Sequence, residues 1–137
     1  MRPIAQRLII EEWRPDNPSD SAGRAAFRVC EKLRRPLSTL AGVAGFRSLL
    51  SRALTLAKAD APWLAGLQID AEGTLTFSAE LEAQLDGSEA ASAGKALIAR
   101  LLGLLGIFIG EALTLRLLHD VWPKSALENS ESGGNQP

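Results

Sequence analysis

A single histidine and a single cysteine bound the side-chain chemistry open to this chain of 137 residues. Nucleophilic catalysis through Cys30 would need a base within hydrogen-bond reach, and His119 is the only imidazole available. No spacing brings positions 30 and 119 together, and no asparagine or aspartate sits in a motif that would orient the ring. Cys30 falls on the apolar stripe of its predicted helix, where a thiol behaves as a small inert hydrophobe. Metal ligation has no better support. Glu111 and His119 are two helical turns apart, and the adjacent His119 and Asp120 point in different directions. Asp70, Glu72 and Gly73 bear a superficial likeness to a calcium loop but lack its spaced oxygen ligands and terminal glutamate. Gly103, Gly106 and Gly110 lie inside a helical pattern, so they form no phosphate cradle, and there is no serine elbow. The expectation is a protein with no catalytic residues, no metal site and no cofactor.

Two charged features remain. Arg100 and Glu111 flank the most apolar run, and a carboxylate buried there unpaired would be costly. An interhelical ion pair with Arg47, Arg52 or an arginine of a second chain is expected to answer it, with a ligand-anchoring role as the alternative. Arg24, Arg28, Lys32 and Arg35 recur at helical spacing, with Arg34 beside them. They form either a solvated helix face or a basic face for an acidic partner. Phosphate contacts are disfavoured because no aromatic residue interleaves and no nucleic-acid motif is present.

The element that must carry most of this spans 88–122, with no proline until Pro123. Asp86 or Ser88 is expected to cap it, since Asp86 and Glu89 have capping-box spacing. At about 1.5 Å per residue a helix of this length is a rod of roughly 50 Å. That is longer than a compact chain of this size, so it must project, kink near its glycines or span a dimer. Ser92, Ala96, Ala99, Gly103, Gly106 and Gly110 make a seam of small side chains along it. Leu97, Leu101, Leu104 and Phe108, with Ile98, Leu102, Leu105 and Ile109, surround that seam with bulk. Such a helix is buried or crosses a membrane. A span is disfavoured because Arg100 and Glu111 leave only 101–110 uninterrupted, short of the roughly 20 residues required.

Upstream, Ser19, Asp20 or Ser21 caps a helix running to about Arg35, and Pro36 opens a second helix over 37–59. The second helix has its own small seam: Ser38, Ala41, Gly45 and Ser48. Two seams suggest helices packed on each other or each on its own copy. At 67–77 the period changes to two, which predicts a β-hairpin turning at 70–73 with Gly73 at positive φ. A third strand from residues 7–12 is possible, although that stretch reads equally as helix. Ser78 caps a short helix over 79–85. Residues 124–137 are polar and aperiodic, the pattern of a flexible tail. No longer repeat is visible.

The fold class expected is therefore mainly α: a helical bundle around one long C-terminal helix, with a small β-hairpin of two or three strands. Residues 1–123 form the single domain. Net charge is −1, divided as +5 (11 basic, 6 acidic) over residues 1–60 and −6 (4 basic, 10 acidic) over 61–137. That asymmetry fits charge pairing within one fold or across a dimer. One cysteine and the lack of a secretory signal fit a reducing, cytoplasmic setting. The functional expectation is a non-enzymatic protein-interaction module or small adaptor, acting as a helical homodimer with a further protein partner. Partner contacts would come from the hairpin and the basic helix. The alternative is a sensor or carrier with an apolar interhelical pocket lined by Phe46 and Phe108 and anchored by Arg100 or Glu111.

Overall fold

The computed structural model describes residues 1–123. The tail expected at 124–137 lies outside the described residues. The protein is mainly helical, with a small two-stranded antiparallel sheet. Helix α1 (Arg2–Glu12) has a proline in its first turn, where the missing N–H costs nothing. Its buried residues are Ala5, Leu8, Ile9 and Glu12, a spacing of three and four that belongs to a helix. Residues 7–12 therefore add no third strand.

Helix α2 (Ala22–Asp60) starts where the Ser21 hydroxyl accepts the Arg24 backbone N–H at 3.2 Å. The break expected at Pro36 lies instead at Gly42, with φ 80° and ψ 161°. Leu33 and Leu37 are both fully buried, so the core stripe holds the helix together through the proline. Gly42 has a backbone conformation that a side chain rarely tolerates, and there the chain changes course.

A 3-10 turn (Pro62–Gly66) leads to β1 (Gln68–Ile69) and β2 (Leu75–Thr76), paired Gln68 to Thr76 and Ile69 to Leu75. The turn between them is tied by Asp70, whose carboxylate accepts the N–H groups of Glu72 and Thr74, both at 2.9 Å. A hairpin this short is marginal alone. It is held from beneath by fully buried Phe46 next to Gly73, and by Phe77, edge-on to Phe27 at 4.9 Å.

Helix α3 (Ala79–Ala83) is capped by Ser78. The expected 88–122 rod is two helices, α4 (Ser88–Ile109) and α5 (Glu111–Val121). Gly110 separates them, with φ 89° and ψ 156°, nearly the geometry of Gly42. Neither expected cap is used. Gly87 occupies the N-cap without a side-chain bond, while Asp86 accepts from Arg24 Nε at 2.9 Å. Helix α4 is long and apolar enough to cross a membrane by composition, and 44% of its most apolar window is buried within the protein. Leu97, Ile98, Leu101, Leu102 and Leu105 are all fully buried, each contributing roughly 1.5–3 kcal/mol of transfer free energy.

The two glycine breaks reveal a repeat that residue identity shows only in part. Gly110 follows Gly42 by 68 residues (110 − 42), and shifting the numbers by 68 brings most of the burial pattern into register. Ala26 and Gly94, Leu33 and Leu101, Leu37 and Leu105, Phe46 and Thr114, and Leu50 and Leu118 are buried in pairs. Leu40 and Phe108 are exposed as a pair. The two units meet at equivalent points to within one residue, for Gly94 lies against Ala26 and Gly23 against Ala90. The first segment of α2 and helix α4 thus run side by side in the same sense. From Ala26 to Gly42 and from Gly94 to Gly110 are 16 residues each, about 24 Å of helix, so both breaks lie at one end of the bundle.

Candidate functional site

The predicted basic face is occupied from within. Arg28 donates two hydrogen bonds to Asp20, at 2.9 and 2.7 Å, and a third to the Glu12 carbonyl oxygen at 2.8 Å. Arg24 pairs with Asp86 and Lys32 with Glu12, which leaves Arg35 as the member of the row that no described carboxylate pairs with. The partner face expected on Arg24, Arg28, Lys32 and Arg35 is therefore mostly an internal charge lattice.

At its centre is Glu12, 4% exposed, which sequence patterning did not single out. Trp122 Nε1 donates to its Oε2 at 2.9 Å, so one carboxylate joins α1, α2 and the end of α5. Burial opposes its ionisation, but hydrogen bonds from Lys32 and Trp122, with the nearby cations, bring it below the ordinary value. The Arg28 hydrogen bonds hold Asp20 far below the usual carboxylate range. Every part of this network is structural in geometry, with each acid already matched by donors.

Glu111 departs from expectation. It is exposed at the first position of α5, where a carboxylate suits a helix N-terminus, and it makes no pair with Arg47 or Arg52. Arg47 instead donates to the Asp70 carbonyl oxygen at 3.0 Å. Arg100 pairs with Asp60 through Nε at 2.9 Å and Nη2 at 3.3 Å, joining α4 to the end of α2. The pocket expected from Phe46 and Phe108 does not form, since Phe46 lies beneath the hairpin and Phe108 is 59% exposed. Cys30 is buried, and burial pushes its thiol up to about 12. His119 is half-buried on α5. Among the described residues no group of three His, Cys, Asp or Glu side chains is placed to hold a metal. Asp70 is committed to its own turn.

The predicted seam of α4 is divided between interior and surface. Ala96 is buried and Ser92 exposed, while Ala99, Gly103 and Gly106 are half-buried along an open flank. A side chain at Gly103 would meet nothing within 4 Å, and one at Gly106 only the end of Met1 at 3.7 Å. The flank is a cavity of about 430 Å³ floored by Ala96, Ala99 and Gly103, between Leu56 and Ile107, with Arg2, Asp60 and Arg100 on its rim. Ile107 is 84% exposed. On α2, Ser38, Ala41 and Gly45 are half-buried and Ser48 exposed, so the two seams do not pack on each other. The close contact runs through Gly23, Ala26, Ala90 and Gly94 instead, a pairing whose sequence signal was the four-residue step from Ala90 to Gly94. No family model, curated protein or solved structure matches the chain.

Proposed function

We propose that the protein is a non-enzymatic interaction module that self-associates through the open flank of α4. The observation that carries this reading is Gly103. A glycine inside a helix costs about 1 kcal/mol relative to alanine and is normally offset by a close neighbour. Here the space beside it is empty, and the small-residue floor is bordered by the most exposed large apolar side chain, Ile107. A helix of a second copy would fit such a floor closely, and Asp60 with Arg2 and Arg100 supplies a rim of both signs.

Light scattering at micromolar concentration tests this directly. The expected mass is that of a dimer, and Gly103→Leu, which fills the floor, converts it to a monomer that melts no lower than the wild type at dilutions where both are monomeric. A strictly monomeric wild-type chain overturns the reading. A second reading is favoured by one observation: the cavity volume of about 430 Å³ falls within the range of small-molecule sites. A carrier of small anions or zwitterions anchored at Arg100 would show ligand-dependent thermal stabilisation that Arg100→Gln removes.

A further inference from the structure

We propose that the end of the bundle carrying Gly42 and Gly110 docks on the surface of an anionic lipid bilayer. Two chain reversals lie there at the same level, and each presents apolar side chains to solvent. Leu40 is 48% and Val43 49% exposed beside Gly42, while Phe108 is 59% and Leu113 46% exposed around Gly110. These four are half of the eight large apolar residues exposed among the described residues, concentrated beside two breaks. They are not needed by the fold, since the core stripes on both helices run beneath them.

Charge selects the occupant. Within eight residues of either break along the sequence stand Arg34, Arg35, Arg47 and Arg116 against Glu111, and the hairpin turn packed on Phe46 and Arg47 adds Asp70 and Glu72, a net of +1 (4 − 3). Arg34 is paired with Glu31, but no described carboxylate pairs with Arg35, Arg47 or Arg116. Those three are seven, five and six residues from their glycines, about 8–11 Å along the helix. Apolar faces of interfacial proteins enter a bilayer to roughly 5–10 Å, so an arginine collar at this height meets the headgroup phosphates. The opposite end has the other sign: Glu80, Glu82 and Glu89 occur over 79–89 with no lysine or arginine, beside Asp86, which is paired with Arg24. The molecule is polarised along its length, and an anionic surface attracts one end while repelling the other. A second copy of the same end would bring arginines against arginines, which disfavours self-docking there. This end adjoins the flank of α4 assigned above to a second copy, whose border residue Ile107 lies three residues before Gly110.

The test is co-sedimentation of the full chain with phosphatidylcholine vesicles, with and without phosphatidylglycerol, at low and high salt. Binding is expected to the anionic vesicles at low salt and to fall at least tenfold on neutral vesicles. Leu40→Ser with Phe108→Ser should lower affinity at least tenfold, and Arg35→Gln about fivefold. Glu111→Gln should raise it. All these positions are exposed, so an unchanged melting temperature confirms folding. Gly103→Leu, which breaks the flank, should bind vesicles as the wild type does. Equal binding to neutral vesicles, retention by the Leu40 and Phe108 double variant, or no sedimentation with anionic vesicles overturns the proposal. So does a lipid-free oligomer that the double variant, but not Gly103→Leu, dissociates.

Discussion

Gly94 and Gly103 lie nine residues apart on α4, and they meet opposite surroundings. A Cβ at Gly94 would fall 2.4 Å from that of Ala26, with the Phe27 ring behind it. A Cβ at Gly103 would meet nothing within 4 Å. The first half of the helix is where two equivalent units of the chain press backbone against backbone. Along the flank of the second half the same small residues meet no neighbour at Gly103 and only the end of Met1 at Gly106. Small side chains in one helix are thus of two kinds, and only the neighbours distinguish them.

The largest expected effect breaks the closed half. Gly94→Val forces two branched methyl groups into a contact that already excludes one carbon, and both helices must separate. A loss of about 3 kcal/mol or more is expected in urea denaturation, with Gly94→Ala losing about 1–3 kcal/mol. If either variant is as stable as wild type, the parallel contact of α2 with α4 is wrong.

That contact also explains how far sequence could reach. Helix content, the hairpin with its turn at 70–73, and the caps at Ser21 and Ser78 follow from periodicity and turn chemistry, which are local. The break at Gly42 was misplaced at Pro36 because a proline announces itself in sequence. A positive φ shows only when the chain is bent, and the core stripe from Leu33 to Leu37 overrode the proline. The repeat is hard to see in sequence because residue type is kept at only some positions: Leu33 answers Leu101 and Leu50 answers Leu118, but Phe46 answers Thr114 and Cys30 answers Ile98. Arg100 was singled out because it interrupts an apolar run. Glu12 was passed over because its partners, Arg28, Lys32 and Trp122, come from two distant elements. Glu111 was read as buried from its apolar neighbours, yet the turn at Gly110 carries it into solvent.

Next in size is the carboxylate that ties the closed region together. Glu12→Gln retains an acceptor for Trp122 but leaves Lys32 and Arg28 without their shared anion. A loss of about 2 kcal/mol is expected, read as a drop in melting temperature of several degrees. The same network sets a pH dependence. Glu12 and Asp20 are held below their ordinary values of 4.5 and 3.8 when folded. Unfolding lets both bind protons more readily, so the stability they contribute is complete above about pH 5 and drains away as pH falls below that. Denaturant titrations between pH 3 and 7 should show wild type losing stability steeply at the acid end. Glu12→Gln should lose less over the same interval, so that the difference between the two narrows on acidification. A constant difference across that interval would remove Glu12 from the account.

The smallest effect sharpens the comparison most, because its sign is opposite. Gly103→Ala adds a methyl group to a helix interior with nothing in its way, so it should stabilise the monomer by about 0.5–1 kcal/mol. In Gly94→Ala the same chemical change on the same helix destabilises. If α4 receives a second copy along that flank, the methyl also lifts the two helices apart, and the dimer weakens as the monomer strengthens. Denaturation measured at two protein concentrations separates these effects. The gain should be full at high dilution and reduced, or reversed, where the wild-type chain is dimeric. A gain independent of concentration would mean that the open flank stays open, and that Gly103 is a cost the fold carries without return.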